Sequence, residues 1–173
     1  MVVMITLRCT QKLRKYLGVV PVDIPEPTTS VLGDWYANLV PTVAGDLILC
    51  VNEKSLLTIA IPVREADNLV PFICLRIANL LRMIGVDLKV IANEIRQSEQ
   101  VQYGKTASQS ILGSMNDFAW RYQTMAENAM CKADLSLSKA ELKLSQMPFK
   151  ALDFQSPFEV AVELLSKKRT NAT

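Results

Sequence analysis

The chain reads Ser110-Ile111-Leu112-Gly113-Ser114-Met115-Asn116-Asp117-Phe118-Ala119-Trp120 where an apolar helical pattern and a group of polar residues coincide. Apolar residues recur here at alternating spacings of four and three, which predicts a helix over residues 110–130 with one buried face; they are Ile111, Met115, Phe118, Tyr122, Met125 and Ala129. The same stretch carries Ser114, Asn116 and Asp117, which are weak helix formers and favour caps and turns. Polar groups among large apolar residues must be hydrogen-bonded or serve chemistry, so this stretch is the first place to look for a site.

Strands are predicted mainly in the first half of the chain. Apolar and β-branched runs predict them over residues 2–7, 35–42, 47–52 and 56–63, with a short strand or extended segment over 101–103. Turn residues at 44–46 and 52–55 join three of these strands into an antiparallel meander. The prolines at positions 21, 25 and 27 enforce an extended connection ahead of it.

Helices are predicted where capping and stopping residues bound a helical pattern. A first helix runs from the cap Thr10 to residue 17, and later ones cover 69–84, a short segment after Asp87, and 157–168 behind the cap Ser156. Residues 135–144 are ambiguous, because strand-like alternation there leads into good helix formers. Together these elements predict an α+β fold with a small, mostly antiparallel sheet packed by helices. One domain is expected over residues 1–168, followed by a loose C-terminal tail over 169–173.

The composition indicates an ordered protein with no general attraction to polyanions. Half of the 173 residues are hydrophobic, about a fifth are charged, and the formal net charge is +2. The N-terminal residues lack the pattern of a signal peptide, and the most apolar segment, 69–84, is interrupted by Arg76, Asn79 and Arg82. We therefore expect a cytoplasmic protein with no membrane partner.

Histidine is absent from the chain. Its absence excludes Ser-His-Asp and Cys-His catalysis, histidine general bases, histidine-containing zinc sites and histidine pH switching within this chain. The cysteines are widely separated and form no CxxC pair, so we predict no metal ligands and no disulfide framework. Burial as free thiols is favoured for all four, which are Cys9, Cys50, Cys74 and Cys131.

Acidic residues are the remaining candidates for general acid–base or metal chemistry. Asp34, Glu53 and Asp117 come from three separate elements, as the carboxylates of a magnesium site often do. Each also has a structural interpretation, because Asp34 can satisfy turn amides, Glu53 belongs to a hairpin, and Asp117 can pair with Arg121 one helical turn away. Magnesium is the cofactor only under the catalytic interpretation, and otherwise none is expected.

A second candidate set consists of amide and hydroxyl side chains, which orient a ligand or a neighbouring backbone equally well. Its members are Asn38, Asn52, Ser110, Ser114 and Asn116. A hydrogen-bonded network that ties the long helix to the sheet is favoured over a ligand pocket. Gly113 allows close backbone approach near the helix start, but no phosphate-loop pattern is present.

A basic cluster near the first helix offers a third candidate function. Arg8, Lys12, Arg14 and Lys15 are followed by Tyr16, and such clusters contact phosphates while an aromatic ring stacks on bases. A solvated helix face is the favoured interpretation, because the whole chain is nearly neutral. Nucleic acid is therefore a partner that the sequence allows without favouring it.

Four short segments resemble a family of uncharacterised bacterial proteins. They read Arg8-Cys9-Thr10-Gln11-Lys12-Leu13, Trp35-Tyr36-Ala37-Asn38-Leu39, Val51-Asn52-Glu53 and Ser110-Ile111-Leu112-Gly113-Ser114-Met115-Asn116-Asp117-Phe118. They occur in the same order over about the first 120 residues, and the last third matches less clearly. The resemblance implies a self-standing bacterial protein and supplies no catalytic residue.

These observations favour a non-enzymatic, cytoplasmic binding or regulatory protein, with an unknown ligand and with a homo-oligomer allowed. In this hypothesis Asn38, Asn52, Asn116 and Asp117 form a network that organises either the fold or a ligand cleft. One alternative is a magnesium-dependent hydrolase or nuclease that uses Asp34, Glu53 and Asp117. Another is a nucleic-acid-binding protein that uses the N-terminal basic cluster.

Overall fold

A five-stranded sheet forms the centre of the protein, in the spatial order β4-β3-β2-β1-β5. The computed structural model describes residues 4–130 and 136–170. Within them the strands are β1 (Ile5–Cys9), β2 (Trp35–Val40), β3 (Leu47–Asn52), β4 (Thr58–Pro62) and β5 (Val101–Lys105). All five lie at predicted positions, although β1 begins later than expected, and residues 1–3 lie outside the described part.

The sheet is mixed and not purely antiparallel, which refines the prediction of a mostly antiparallel one. The meander is confirmed, because β2 pairs antiparallel with β3 and β3 with β4. The strand β1 instead pairs parallel with β2, through Leu7 and Trp35, and parallel with β5, through Ile5 and Val101. Parallel neighbours need long crossover connections. The residues that connect β1 to β2, and those that precede β5, carry no local sequence pattern that shows which strand they will pair with.

Six α-helices of the described residues pack on this sheet. They are α1 (Gln11–Leu17), α2 (Leu69–Met83), α3 (Leu88–Ser98), α4 (Gln109–Met130), α5 (Leu137–Ser145) and α6 (Pro157–Thr170), with short 3-10 segments at Val63–Asn68 and Lys150–Leu152. The ambiguous segment is thus helical from Leu137 onward. The helix α6 continues through Thr170, past the expected end at 168, and residues 171–173 lie outside the described part. No helix in 4–130 or 136–170 is long and apolar enough to cross a membrane.

Predicted caps hold several helix starts in place. The hydroxyl of Thr10 accepts a hydrogen bond from Leu13 N, and the carboxylate of Asp87 accepts one from Lys89 N. At the start of α6, Ser156 and Glu159 form a reciprocal capping box, in which each side chain accepts a bond from the other residue's backbone N–H. These bonds satisfy amides that have no partner inside the helix.

The two faces of the sheet carry separate apolar cores. One face packs against α1, α2, α3 and α6, with Leu13, Ile73 and Leu165 among its buried residues. The opposite face packs against α4 and α5, and the predicted apolar face of α4 contributes the buried Met115, Phe118 and Tyr122. Alternate residues of β3 enter the two cores, as the period of two in a strand requires. The described residues form one α+β domain.

Both outer strands of the sheet are covered. Along β5, Val22 N donates to Tyr103 O at 2.8 Å, and the Gln102 side chain exchanges hydrogen bonds with the backbone of Glu26. Along β4, Ala60 N donates to the carboxylate of Glu141 on α5 at 2.9 Å. Covering free strand edges prevents uncontrolled pairing with other chains.

Candidate functional site

A cleft of about 400 Å³ opens between the turn that follows β3, the start of α4 and the segment Lys150–Leu152. Three of its residues, Glu53, Ser110 and Ser114, belong to the predicted candidate sets. Its other polar residues are Tyr36, Lys54 and Ser108, and its apolar wall consists of Leu56, Ile111, Ala151 and Leu152. Polar groups converging on a partly apolar concavity are typical of small-molecule sites.

The turn on one side of the cleft is built around Asn52. Its side-chain oxygen accepts hydrogen bonds from Lys54 N at 3.2 Å and from Ser55 N and Oγ at 2.9 and 2.8 Å. Its side-chain nitrogen donates to Leu32 O at 2.9 Å and to Asp34 O at 3.3 Å. The residue is fully buried, with 0% of its surface exposed. Asn52 therefore positions Glu53 and Lys54 and does not itself line the cleft.

The loop before β2 holds the side chains of Glu53 and Lys54 from the other side. Glu53 Oε1 accepts a hydrogen bond from Asp34 N at 3.0 Å, and Lys54 Nζ donates to Val31 O at 3.2 Å. Both side chains pass so close to Gly33 that a Cβ there would lie 2.5 Å from Glu53 Oε1 and 2.9 Å from Lys54 Cε. Gly33 also has a φ of +81°, so only glycine fits without strain.

The start of α4 supplies hydrogen-bond donors on the opposite wall. Ser108 Oγ accepts a hydrogen bond from Ile111 N at 3.3 Å, and so acts as a cap. The backbone N–H groups of Gln109 and Ser110 have no acceptor among the described residues, and neither the Ser110 nor the Ser114 hydroxyl has a partner there. These donors remain available to a bound molecule.

Tyr36 on β2 is a site residue that the sequence analysis missed. It lines the cleft although only 3% of its surface is exposed, and its phenol hydroxyl has no hydrogen-bond partner within the described residues. The hydroxyl oxygen is not itself fully buried, so it reaches the cleft and can donate to and accept from a bound molecule. The signal was its place in Trp35-Tyr36-Ala37-Asn38-Leu39, as an aromatic with a polar tip on a strand that faces the long helix.

A family model described as "Domain of unknown function (DUF6933)" matches residues 6–160. The chain belongs to this family. The resemblance to an uncharacterised family is thereby confirmed, and the match includes every residue that lines the cleft. Comparisons with curated proteins and with solved structures find no match.

Within the segment matched by the DUF6933 model, the three candidate acids have different surroundings. The Asp34 carboxylate accepts hydrogen bonds from Arg8 Nε at 2.9 Å and from Thr6 N at 3.3 Å. Asp117 lies on an exposed part of α4 and pairs with Arg121 at 3.1 Å. Only Glu53 lines the cleft. Across residues 4–130 and 136–170, no group of three or more His, Cys, Asp or Glu side chains could hold a metal ion.

The candidate asparagines do not form a common network among the described residues. Asn38 Oδ1 accepts hydrogen bonds from Thr10 Oγ1 at 2.7 Å and from Leu39 N at 2.9 Å, which fastens the start of α1 to β2. Asn116 is exposed on α4 and has no described partner. Asn52 thus organises the cleft, whereas Asn38 and Asn116 lie elsewhere.

The basic cluster is also divided by the fold. Arg8 is bound by Asp34 and donates to Lys105 O at 3.2 Å, and Arg14 donates to Cys9 O at 3.3 Å. Lys12 and Lys15 are exposed on α1. Two of the four cations therefore serve local structure, and two are presented to solvent.

A second polar cluster lies inside the domain, at the edge of β4. Glu141 is 0% exposed, and its Oε1 contacts Arg76 Nη2 at 2.6 Å as well as Ala60 N. Burial raises the pKa of Glu141 to about 7, although Arg76 and the Ala60 N–H act in the opposite direction. Glu141 Oε2 and the nearby Tyr122 hydroxyl are buried without a described partner. The signal for this cluster was Arg76 itself, which interrupts an apolar segment.

The cysteines found in the described residues are free thiols: Cys9 and Cys50 are buried, as expected, whereas Cys74 is only partly buried. Burial raises the pKa of Cys9 to about 12 despite the nearby Arg14, and burial also raises the pKa of Cys50 and Cys74. These thiols remain protonated near neutral pH and so are poor nucleophiles. Cys131 lies outside the described residues.

Proposed function

We propose that this protein is a non-enzymatic binding protein whose small polar ligand occupies the cleft between the β3–β4 turn and the start of α4. The observation that carries this proposal is the convergence of polar groups from separate segments on one concavity, with hydroxyls that the fold itself does not use. A volume of about 400 Å³ lies within the range typical of small-molecule sites.

The surroundings of the candidate acids support binding over catalysis. General acid–base or two-carboxylate chemistry needs a pair of titratable groups that face the same reacting atoms. Glu53 is the one candidate acid in the cleft wall, because Asp34 is bound by Arg8 and Asp117 pairs with Arg121. The chain has no histidine to supply the second group. We further propose a cytoplasmic location, which the three free, described thiols support, since they suit a reducing compartment.

Amide NMR spectra test this function directly. The protein is titrated with a panel that mixes neutral and anionic small molecules: glucose, adenosine, glucose 6-phosphate, AMP and citrate. We expect saturable shifts at the amides of residues 53–56 and 108–114 with at least one of these probes. The substitution Ser114→Trp fills the cleft and should abolish the shifts, whereas Asn116→Trp, on the exposed side of the same helix, should leave them unchanged.

Two results of this experiment would contradict the proposed function. If no probe produces saturable shifts at the cleft at millimolar concentration, or if Ser114→Trp and Asn116→Trp behave alike, the cleft is not a binding site. Both variants must retain wild-type amide dispersion, which the same spectra report.

A further inference from the structure

We infer that the ligand of this cleft is a phosphate monoester of a hydroxylated organic molecule, such as a nucleoside monophosphate or a sugar phosphate. This inference rests on the binding function proposed above and names the class of ligand. Donors at the start of α4 define the position of the phosphate, and an acceptor with an apolar wall defines what the phosphate is attached to.

The phosphate position follows from the start of α4. The free N–H groups of Gln109 and Ser110 point out of the helix end, where the helix dipole favours an anion. The hydroxyls of Ser108, Ser110 and Ser114 line the same wall, and Lys54 supplies a positive charge from the opposite turn. Backbone amides, hydroxyls and one lysine are the groups with which proteins bind phosphate.

Tyr36 is the independent observation that points to a ligand in this cleft. Its side chain is more than nine-tenths buried, it lines the cleft, and its hydroxyl has no partner among the described residues. The hydroxyl oxygen is not itself fully buried, so the tip of this otherwise buried side chain reaches the cleft. A ligand oxygen can replace water there, because phenol both donates and accepts.

Glu53 determines which phosphate compounds fit. Glu53 lines the cleft, and its carboxylate would repel a polyphosphate or a second acid but would accept hydrogen bonds from sugar hydroxyls. Leu56, Ile111 and Leu152 cover an apolar portion of the ligand. A monoester with hydroxyls next to an apolar or ring portion satisfies both requirements, whereas inorganic phosphate satisfies only the first.

Calorimetric titration with matched pairs tests the class of ligand. The pairs are AMP with adenosine and glucose 6-phosphate with glucose, and inorganic phosphate is titrated alone. We expect one or both monoesters to bind about tenfold or more tightly than either reference compound. The unphosphorylated partner lacks the charge-assisted hydrogen bonds of the phosphate, and inorganic phosphate lacks the contacts of the organic portion with Glu53 and the apolar wall. Tighter binding of AMP than of adenosine would identify a nucleoside as the organic portion, and tighter binding of glucose 6-phosphate than of glucose would identify a sugar.

Two variants with matched controls locate the contacts. Lys54→Gln should weaken monoester binding about tenfold, while Lys12→Gln, the same change on exposed α1, should not. Tyr36→Phe should weaken binding severalfold without lowering stability, because its hydroxyl has no hydrogen bond within the described residues. The control is Tyr122→Phe, which removes a buried hydroxyl outside the cleft and should leave binding unchanged.

The outcomes separate this inference from the binding function. Equal binding of each monoester and its unphosphorylated partner overturns the phosphate class and leaves the binding function intact. Binding that persists unchanged in both Lys54→Gln and Tyr36→Phe overturns the inferred position of the ligand. Absence of binding by every probe overturns both proposals.

Discussion

Arg8 and Asp34 form a salt bridge, with 2.9 Å between Nε and Oδ2, that joins the interior strand β1 to the loop before β2. Their side chains are 22% and 8% exposed. The same loop, through Gly33 and Asp34 N, holds Glu53 in the wall of the cleft. A candidate nucleic-acid contact and a candidate catalytic acid, both from interpretations that the sequence allowed without favouring, thus neutralise each other and support the neighbouring site.

The Arg8–Asp34 pair should stabilise the fold. Asp34→Asn keeps an acceptor for Thr6 N but removes the charge that faces Arg8, so we expect the free energy of unfolding to fall by about 1–2 kcal/mol. Urea denaturation of Asp34→Asn, Arg8→Gln and the double variant should give a coupling energy of about 1 kcal/mol. The exposed pair Asp117–Arg121 is the control and should couple by about 0.5 kcal/mol or less. Equal coupling in the two pairs would contradict this assignment.

Asn52 and Asn38 should differ strongly in their importance to stability. Asn52→Ala leaves buried backbone groups of the β3–β4 turn without partners, and we expect a loss of about 2–4 kcal/mol. Asn38→Ala removes two bonds at a half-buried position, with an expected loss of about 1 kcal/mol. Thermal and urea unfolding measure the stability of both variants. A larger loss of stability in Asn38→Ala than in Asn52→Ala would contradict this ranking.

Gly33→Ala should disturb the cleft as well as the backbone. The new methyl would collide with Glu53 and Lys54 in addition to the strain of a positive φ, so we expect a loss of about 2–4 kcal/mol and displaced amide signals at residues 53–56. Gly18→Ala is the matched control, because its φ of +67° carries the same strain but no atom lies within 4 Å of the added carbon. It should lose about 1 kcal/mol and leave the cleft signals in place.

Stability should fall as the pH rises from 4.5 toward 7, because of Glu141. Burial raises the pKa of this carboxyl from its usual 4.5 to about 7, so within this window the folded protein holds a proton that the unfolded chain releases. The contribution of Glu141 to the free energy of unfolding is therefore greatest below pH 4.5. It declines as the pH rises and is lost once the pH exceeds the pKa of about 7 in the folded protein. At 1.36 kcal/mol per pH unit, the decline from Glu141 is at most roughly 3 kcal/mol.

Urea denaturation at about pH 5 and about pH 8 measures this decline. No histidine titrates in the same range, because the chain contains none. Glu141→Gln should flatten the dependence, whereas Glu163→Gln, at an exposed position of α6, should preserve it. A wild-type slope retained in Glu141→Gln would show that another group is responsible.

Local sequence determined the elements of this fold and their buried faces. Apolar spacing along α4 predicted that Met115, Phe118 and Tyr122 are buried, and side-chain caps predicted the starts of α1, α3 and α6. Hydrogen bonds in helices and caps, and the periodicity that separates buried from exposed positions, connect residues only a few positions apart. A single sequence therefore contains this information.

Tertiary structure alone decided the strand order and the composition of the cleft. The parallel pairing of β1, the Arg8–Asp34 bridge and the Arg76–Glu141 contact join residues that lie far apart along the chain. Tyr36 likewise meets the serines of α4 only after the sheet and helix have packed. Side-chain type and spacing indicate which groups need partners, but the packing of distant elements determines which partners they receive, and one sequence carries no local record of that choice.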